Sequence, residues 1–144
     1  MFITSVVLRT HVHATEDREK VLEALKNVLP PSLRNSTEVK SEVYEGHYGN
    51  RIEVLSIEIR DPQLSTEVLL YILTSLKEHD RRLLLATLDE RVDENGSFFI
   101  RIDKQSSYKG SLELSEGDDV IKVSFHIAGK RREIVKFLEE VLSR

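Results

Sequence analysis

Two hydrophobic periods take turns along this chain, and their order confines it to a small set of folds. Val6, Leu8, Thr10 and Val12 interleave with Val7, Arg9, His11 and His13, the two-residue period of a strand with one buried face. Val21, Leu22, Leu25, Val28 and Leu29 then fall on one helical stripe, with Thr15 as its expected N-cap and Pro30-Pro31 as its stop. Alternation resumes in Val39, Ser41 and Val43 and again in Leu55, Ile57 and Ile59, with Gly46 and Gly49 marking a hairpin turn between them. Asp61-Pro62 stops that strand, and Leu69, Ile72, Leu73 and Leu76 describe a second amphipathic helix, expected to be capped by Ser65. A shorter helix is expected around Leu83 to Leu88. After the Asn95-Gly96 turn signal come Phe98, Ile100 and Ile102, a brief strand at Leu112 and Leu114, and a strand carrying Ile121, Val123, Phe125 and Ile127. Gly129 opens a last helix with Ile134, Val135, Phe137, Leu138, Val141 and Leu142 on its stripe. The order β-α-β-β-α-(α)-β-β-β-α predicts an α+β fold: one domain over residues 1–144, a mostly antiparallel sheet with helices packed on one face.

Composition narrows the function classes. The 144 residues suffice for one apolar core without staples, and the absence of cysteine excludes disulfides, thiolate zinc sites and cysteine nucleophiles. No apolar run approaches the roughly twenty residues of a membrane span, and the first residues lack a signal-peptide pattern, so a cytoplasmic protein is expected. A formal net charge of −4 means that any nucleic-acid site must be a local cluster. Nucleophile elbow, glycine-rich phosphate loop and helical His-Glu-x-x-His are all missing, so no catalytic residue and no cofactor is assigned. His11 and His13 project from one side of a strand, with Asp103 or His126 as conceivable companions, but no metal site is expected from so weak a pattern. Outward positions Arg9, His11, His13, Arg101, Lys122, Ser124 and His126 give the uncovered sheet face a polar, partly basic character. Phe99 is the aromatic expected there, and the solvated side of a sheet is the ordinary reading of such a face.

Two segments offer binding chemistry. Gly46-His47-Tyr48-Gly49-Asn50-Arg51 places an imidazole, a phenol, an amide and a guanidinium at the hairpin turn, where turn geometry accounts for the glycines and Asn50 but not for the others. Asp103-Lys104-Gln105-Ser106-Ser107-Tyr108-Lys109-Gly110 offers two ammonium groups, three polar side chains and a phenol where a strand ends; the plain alternative is a helical turn capped by Asp103.

These segments, with His11-Val12-His13-Ala14-Thr15-Glu16-Asp17 and Leu88-Asp89-Glu90-Arg91-Val92-Asp93, resemble an archaeal RNA-binding family described as exosome-subunit-like and related in fold to the ribosomal protein that holds 5S rRNA. Ser106-Ser107 stands where that family has small alanines. The resemblance implies a non-catalytic partner of structured RNA, ribosomal or transfer RNA among the candidates, with an RNA-processing complex as a possible assembly. The expected contact set is Lys104, Gln105, Tyr108, Lys109, His47, Tyr48, Asn50 and Arg51. Lys104, Lys109 and Arg51 would meet phosphates, His47 and Tyr48 would stack or bond to sugar, and Gln105 and Asn50 would read edges or hydroxyls. Two rivals remain open: a protein-interaction or homodimer module using the open sheet face, and an unrecognised RNA or nucleotide enzyme in which His47 and Asp103 lie within a few ångströms as acid and base.

Overall fold

Strand β1 (Phe2–Val12) forms the middle of a five-stranded antiparallel sheet in the computed structural model, which describes residues 2–144. The remaining elements follow as α1 (Arg18–Lys26), a 3-10 turn (Pro31–Leu33), β2 (Lys40–Glu45), β3 (Arg51–Ile59), α2 (Pro62–Ser75), α3 (Glu78–Ala86), α4 (Leu88–Arg91), β4 (Ser97–Asp103), α5 (Lys104–Tyr108), β5 (Val120–Ala128) and α6 (Arg131–Leu142). The sheet order is β2-β3-β1-β5-β4, and every pairing is antiparallel.

Strands β1, β3, β4 and β5 bury the face their alternation marks, whereas β2, at the sheet edge, is exposed along its whole length, with Val43 50 % exposed. Val6, Leu8, Thr10 and Val12 point into a single apolar cluster with Leu55, Ile57, Ile59, Phe98, Ile100, Ile102, Ile121, Val123, Phe125 and Ile127. Helices contribute Leu25, Leu69, Ile72, Leu73, Leu84, Ile134 and Leu138 from the same side. At about 25 cal/mol per Å² of apolar surface removed from water, each such side chain stabilises the fold by about 1.5–3 kcal/mol before entropy is counted. Val54 and Val120 are also buried, yet they lie outside that cluster, because they face the opposite side of the sheet.

Helix starts differ in detail from expectation. Asp17, not Thr15, caps α1 by accepting from the Glu19 N–H at 3.0 Å. Asp61 caps α2 through the Leu64 N–H at 3.0 Å with Pro62 in the first turn, whereas Ser65 is buried and donates to the Ile59 carbonyl at 3.2 Å. The Asp61 carboxylate supplies the acceptor and the Pro62 ring presets the φ of the helix start. The last helix opens at Arg131 after Lys130, two residues beyond Gly129. The expected helix near Leu83 is two short ones, α3 and α4.

One expected strand does not form. Leu114 makes a single bridge to Ile102, and its N–H is held at 3.0 Å by the buried carboxylate of Asp80. That side-chain acceptor takes the donor a strand ladder would need, so the residues 109–119 run as a loop between α5 and β5. Gly96 sits at φ +82°, and a Cβ there would lie 2.5 Å from the Ile127 oxygen, which explains why the turn before β4 requires glycine.

Candidate functional site

At the end of β4 the chain turns straight into α5, and Asp103 makes the turn. Its Oδ2 accepts from the Ser106 N–H at 2.9 Å and from the Ser106 hydroxyl at 2.8 Å, so the capped helical turn is what the structure contains. Ser107 is fully buried and donates to the Ala24 carbonyl at 2.7 Å, and Asn27 donates back to the Ser107 carbonyl at 2.9 Å. These bonds rivet α5 onto α1.

Lys104 departs from its expected role as a phosphate contact. Its side chain is only 3 % exposed, and its Nζ donates to the His11 carbonyl at 2.8 Å and to both Glu16 oxygens at 3.1 and 3.2 Å. Asp119 Oδ1 lies 2.8 Å away, an ion pair by distance although the hydrogen-bond alignment is poor. A buried ammonium persists only when paired in this way, so Lys104 is a strut joining β1, the turn after it and the start of β5. Burial opposes ionisation of Asp119, but the adjacent Lys104 ammonium and the hydrogen bond from Gln105 outweigh it and hold its carboxyl below the ordinary value. Gln105 is exposed and its Nε2 donates to Asp119 Oδ2 at 3.0 Å; Tyr108 is half-buried with the Lys20 ammonium 5.7 Å from its ring centre; Lys109 is exposed. Together with Thr15, Glu16 and Asp17 they line a cleft of about 390 Å³ between α1 and α5.

The β2–β3 turn is different in kind, because the core does not use it. Gly49 takes φ +79°, and Asn50 Oδ1 packs so closely under Gly46 that a Cβ there would lie 2.2 Å from it. These contacts fix the turn and leave its other side chains outside. Tyr48 is 94 % exposed, its ring edge-on to His47 at 5.8 Å between centroids, and Arg51 is exposed at the base, opposite Glu45.

The two segments occupy the same end of the sheet but are not joined. β1 and β5 run between the strands that carry them, and no hydrogen bond or ion pair among the described residues links one to the other. His47 and Asp103 are therefore not an acid-base pair. Arg131, the first residue of α6, donates to the Asp89 and Val92 carbonyls at 2.8 and 3.1 Å and ties α6 to α4.

The open sheet face carries a pattern that strand alternation alone did not display. Arg101 pairs with Lys122, Lys122 with Arg9, Arg9 with Ser56 and Ser56 with Lys40, so one register row crosses all five strands with four cations and a serine. Among the described residues no carboxylate oxygen lies within 4.0 Å of any of those four cationic groups. Arg101 is partly tethered, donating to the Gly117 carbonyl. Beside the row, Arg9, His11, His13, Arg101 and Lys122 line a trough of about 630 Å³ in which Asp118 supplies a carboxylate. His11 and His13 stack at 6.5 Å and 15°. Burial lowers the His11 pKa, and the neighbouring His13, Lys122, Lys104 and Arg9 lower it further, the signature of a positive local field. Phe99 is 44 % exposed at one edge of this face and Tyr44, on β2, is 48 % exposed at the other. Sequence reading found Phe99 but not Tyr44 or Lys40, because their side of the sheet depends on the β2–β3 register.

His13, Glu16 and Asp119 bring possible ligand atoms within 4.8 Å of one another. The Lys104 ammonium already lies between the two carboxylates, so a metal ion there would face a positive charge at contact distance.

A helix-backed antiparallel sheet whose uncovered face carries unpaired cations fits the class of nucleic-acid-binding α+β domains. The chain belongs to the family described as RNA binding, whose model matches residues 5–127. It is 39 % identical to the RNA-binding protein PAB1135 of Pyrococcus abyssi, over 96 % of this chain and 92 % of that protein. Among solved structures it resembles protein AF2318 from Archaeglobus fulgidus, with TM-score 0.83 and 34 % identity over 96 % of this chain and 99 % of that one. Mth689 from Methanothermobacter thermautotrophicus superposes with TM-score 0.78 and 30 % identity, covering 99 % of each chain. These relatives are archaeal, as the motifs of the chain suggest. Among the described residues no helix is long and apolar enough to cross a membrane.

Proposed function

We propose that this chain is a non-catalytic, cytoplasmic RNA-binding protein that recognises structured RNA at the sheet end carrying the β2–β3 turn and α5. The observation that carries the reading is Tyr48. A phenol ring 94 % exposed on a fixed turn, edge-on to His47 and three residues before the exposed Arg51, contributes nothing to the core and is shaped for stacking on an unpaired base with a phosphate beside it. Asn50 would bond to sugar or base edges. Across the same end, Lys109 would meet phosphate, with Gln105 and Tyr108 lining the adjoining cleft and Lys104 holding the cleft wall. Because β1 and β5 separate the two groups, an RNA touching both has the breadth of a folded molecule.

Binding to transfer RNA, duplex RNA and an unpaired oligonucleotide, measured across a salt series for the native chain and for Tyr48→Ala with Arg51→Ala, tests the reading. At least a tenfold weaker affinity for the folded RNA in the double variant supports it, since stacking is worth about 1–3 kcal/mol per base. Native-like binding by that variant refutes the site, and absence of salt-dependent binding in the native chain refutes the function. Membership of an RNA-processing assembly such as the exosome, and kinship with the 5S rRNA-binding ribosomal protein, are carried by the resemblance of motifs; co-purification of exosome subunits with the tagged chain tests the former.

A further inference from the structure

We propose that the open sheet face is a second RNA contact: a backbone track for an unpaired segment, running along the cross-strand row Arg101, Lys122, Arg9, Ser56 and Lys40. This inference rests on the RNA-binding reading above and extends it to a surface that reading does not use.

The row is the reason. Like charges placed directly opposite on neighbouring strands repel, and a fold with no use for them places a carboxylate or a neutral residue between. Here Arg101 faces Lys122 and Lys122 faces Arg9, with Ser56 and then Lys40 continuing the line, and no carboxylate neutralises any of the four. Four inter-strand steps of about 4.8 Å make the line about 19 Å long, which suits a run of several phosphates crossing the strands. The same chain is acidic overall, with net charge −4, so this face is a local concentration of positive charge rather than a sample of the general surface. The carboxylates that do share the face lie off the row: Glu58 is held by Arg60 at 3.2 Å, Glu42 accepts from the Tyr44 hydroxyl, and Asp118 sits at the trough rim.

The flanking groups favour an unpaired strand. Phe99 stands two residues before Arg101 on edge strand β4, beside a hollow of about 370 Å³ that Val7 lines together with Arg9, Arg101 and Lys122 of the row. Tyr44 stands on the opposite edge strand. Rings at the two edges of a positive face can stack exposed bases, which a duplex keeps inside its own stack. A second copy of this chain is the poorer occupant. In an isologous dimer through this face, cationic rows meet across the interface with no carboxylate row to answer them.

Fluorescence anisotropy with a labelled unpaired RNA decamer, across a NaCl series, decides the matter. The native chain, Arg9→Gln with Lys122→Gln, and Tyr48→Ala with Arg51→Ala are compared, and circular dichroism melts confirm that each is folded. If the row is the track, the Arg9/Lys122 variant binds the decamer at least tenfold more weakly and the magnitude of its log–log salt slope falls by about 1.4, two phosphates at about 0.7 each. A native-like slope in that variant overturns the track; if the Tyr48/Arg51 variant loses the slope instead, the RNA-binding reading stands and the face is not used. Failure of the native chain to bind any RNA overturns both. Loss of a homodimer by light scattering in the Arg9/Lys122 variant, without loss of RNA affinity, also overturns the proposal and assigns the face to a protein.

Discussion

Replacing Lys122 by glutamine is expected to make the protein more stable and a weaker RNA binder at the same time. Lys122 is exposed and stands between Arg9 and Arg101 in the same register row. Cβ atoms of directly opposed residues are about 5 Å apart, and charges on long side chains splay to somewhat more. At such separations two unit charges in water repel by about 0.5–0.8 kcal/mol, and screening at 0.15 M salt halves this. With two neighbours, neutralising Lys122 removes about 0.5–1 kcal/mol of repulsion at physiological salt and about 1–1.5 kcal/mol in dilute buffer. For a chain of this length that is a rise in Tm of about 3–5 °C at low salt, shrinking towards zero near 1 M NaCl. Differential scanning calorimetry at several salt concentrations measures it, with Lys136→Gln on the exposed side of α6 as the control. A fall in Tm, or a rise indifferent to salt, refutes the claim that the row is a strained concentration of like charge. The sign matters because a lysine retained only for the fold would destabilise on removal.

Lys104→Ala is expected to act on stability first, costing about 2–4 kcal/mol, because Glu16 and Asp119 lose the cation that pairs them; urea unfolding measures it, and a loss of RNA affinity without destabilisation would refute the strut assignment. Asp119 has a lowered folded pKa, so the native state binds fewer protons than the unfolded chain below the ordinary value of 3.8. The stability advantage of the native chain over Asp119→Asn is accordingly present above about pH 3.8 and lost as pH falls through the lower folded value; a difference unchanged down to pH 2 contradicts this. His11 has a lowered pKa in the free protein, so its contribution to stability is lost as pH falls below 6.5, while RNA phosphates would reverse the field and return the proton. RNA affinity is expected to strengthen from pH 7.5 to 5.5 and to flatten in His11→Gln; equal slopes in both proteins would exclude His11 from the contact. Gly96→Ala combines φ +82° with a Cβ 2.5 Å from the Ile127 oxygen, and is expected to cost at least 2 kcal/mol in urea unfolding, with native-like stability refuting the close approach.

Period alone was enough to read the five strands of the sheet, helices α1, α2 and α6 and the buried face of every strand but the exposed β2, because burial imposes period on each buried element separately. Where a side-chain acceptor competes for backbone donors, period misleads. Leu112 and Leu114 alternate like a strand, yet Asp80, 34 residues away in sequence, takes the Leu114 N–H. The candidate site divides along the same line. Tyr48 and Arg51 were legible because a turn needs neither, whereas Lys104 was read as a surface cation since nothing adjacent in sequence announces Glu16 or Asp119. The cationic row was the least legible feature of all. Arg9, Arg101 and Lys122 can each be assigned outward by parity, and each looks like an ordinary solvated residue. Only the register of four separate pairings brings them into one line with Ser56 and Lys40, and a one-residue slip in any pairing would break it. For every strand but the exposed β2, register is set by the core face, where Leu8 lies opposite Ile57 and Val123. The packing that stabilises the domain on one side is thus what aligns the charges on the other, and core substitutions that shift a strand should weaken RNA binding without touching a single cation.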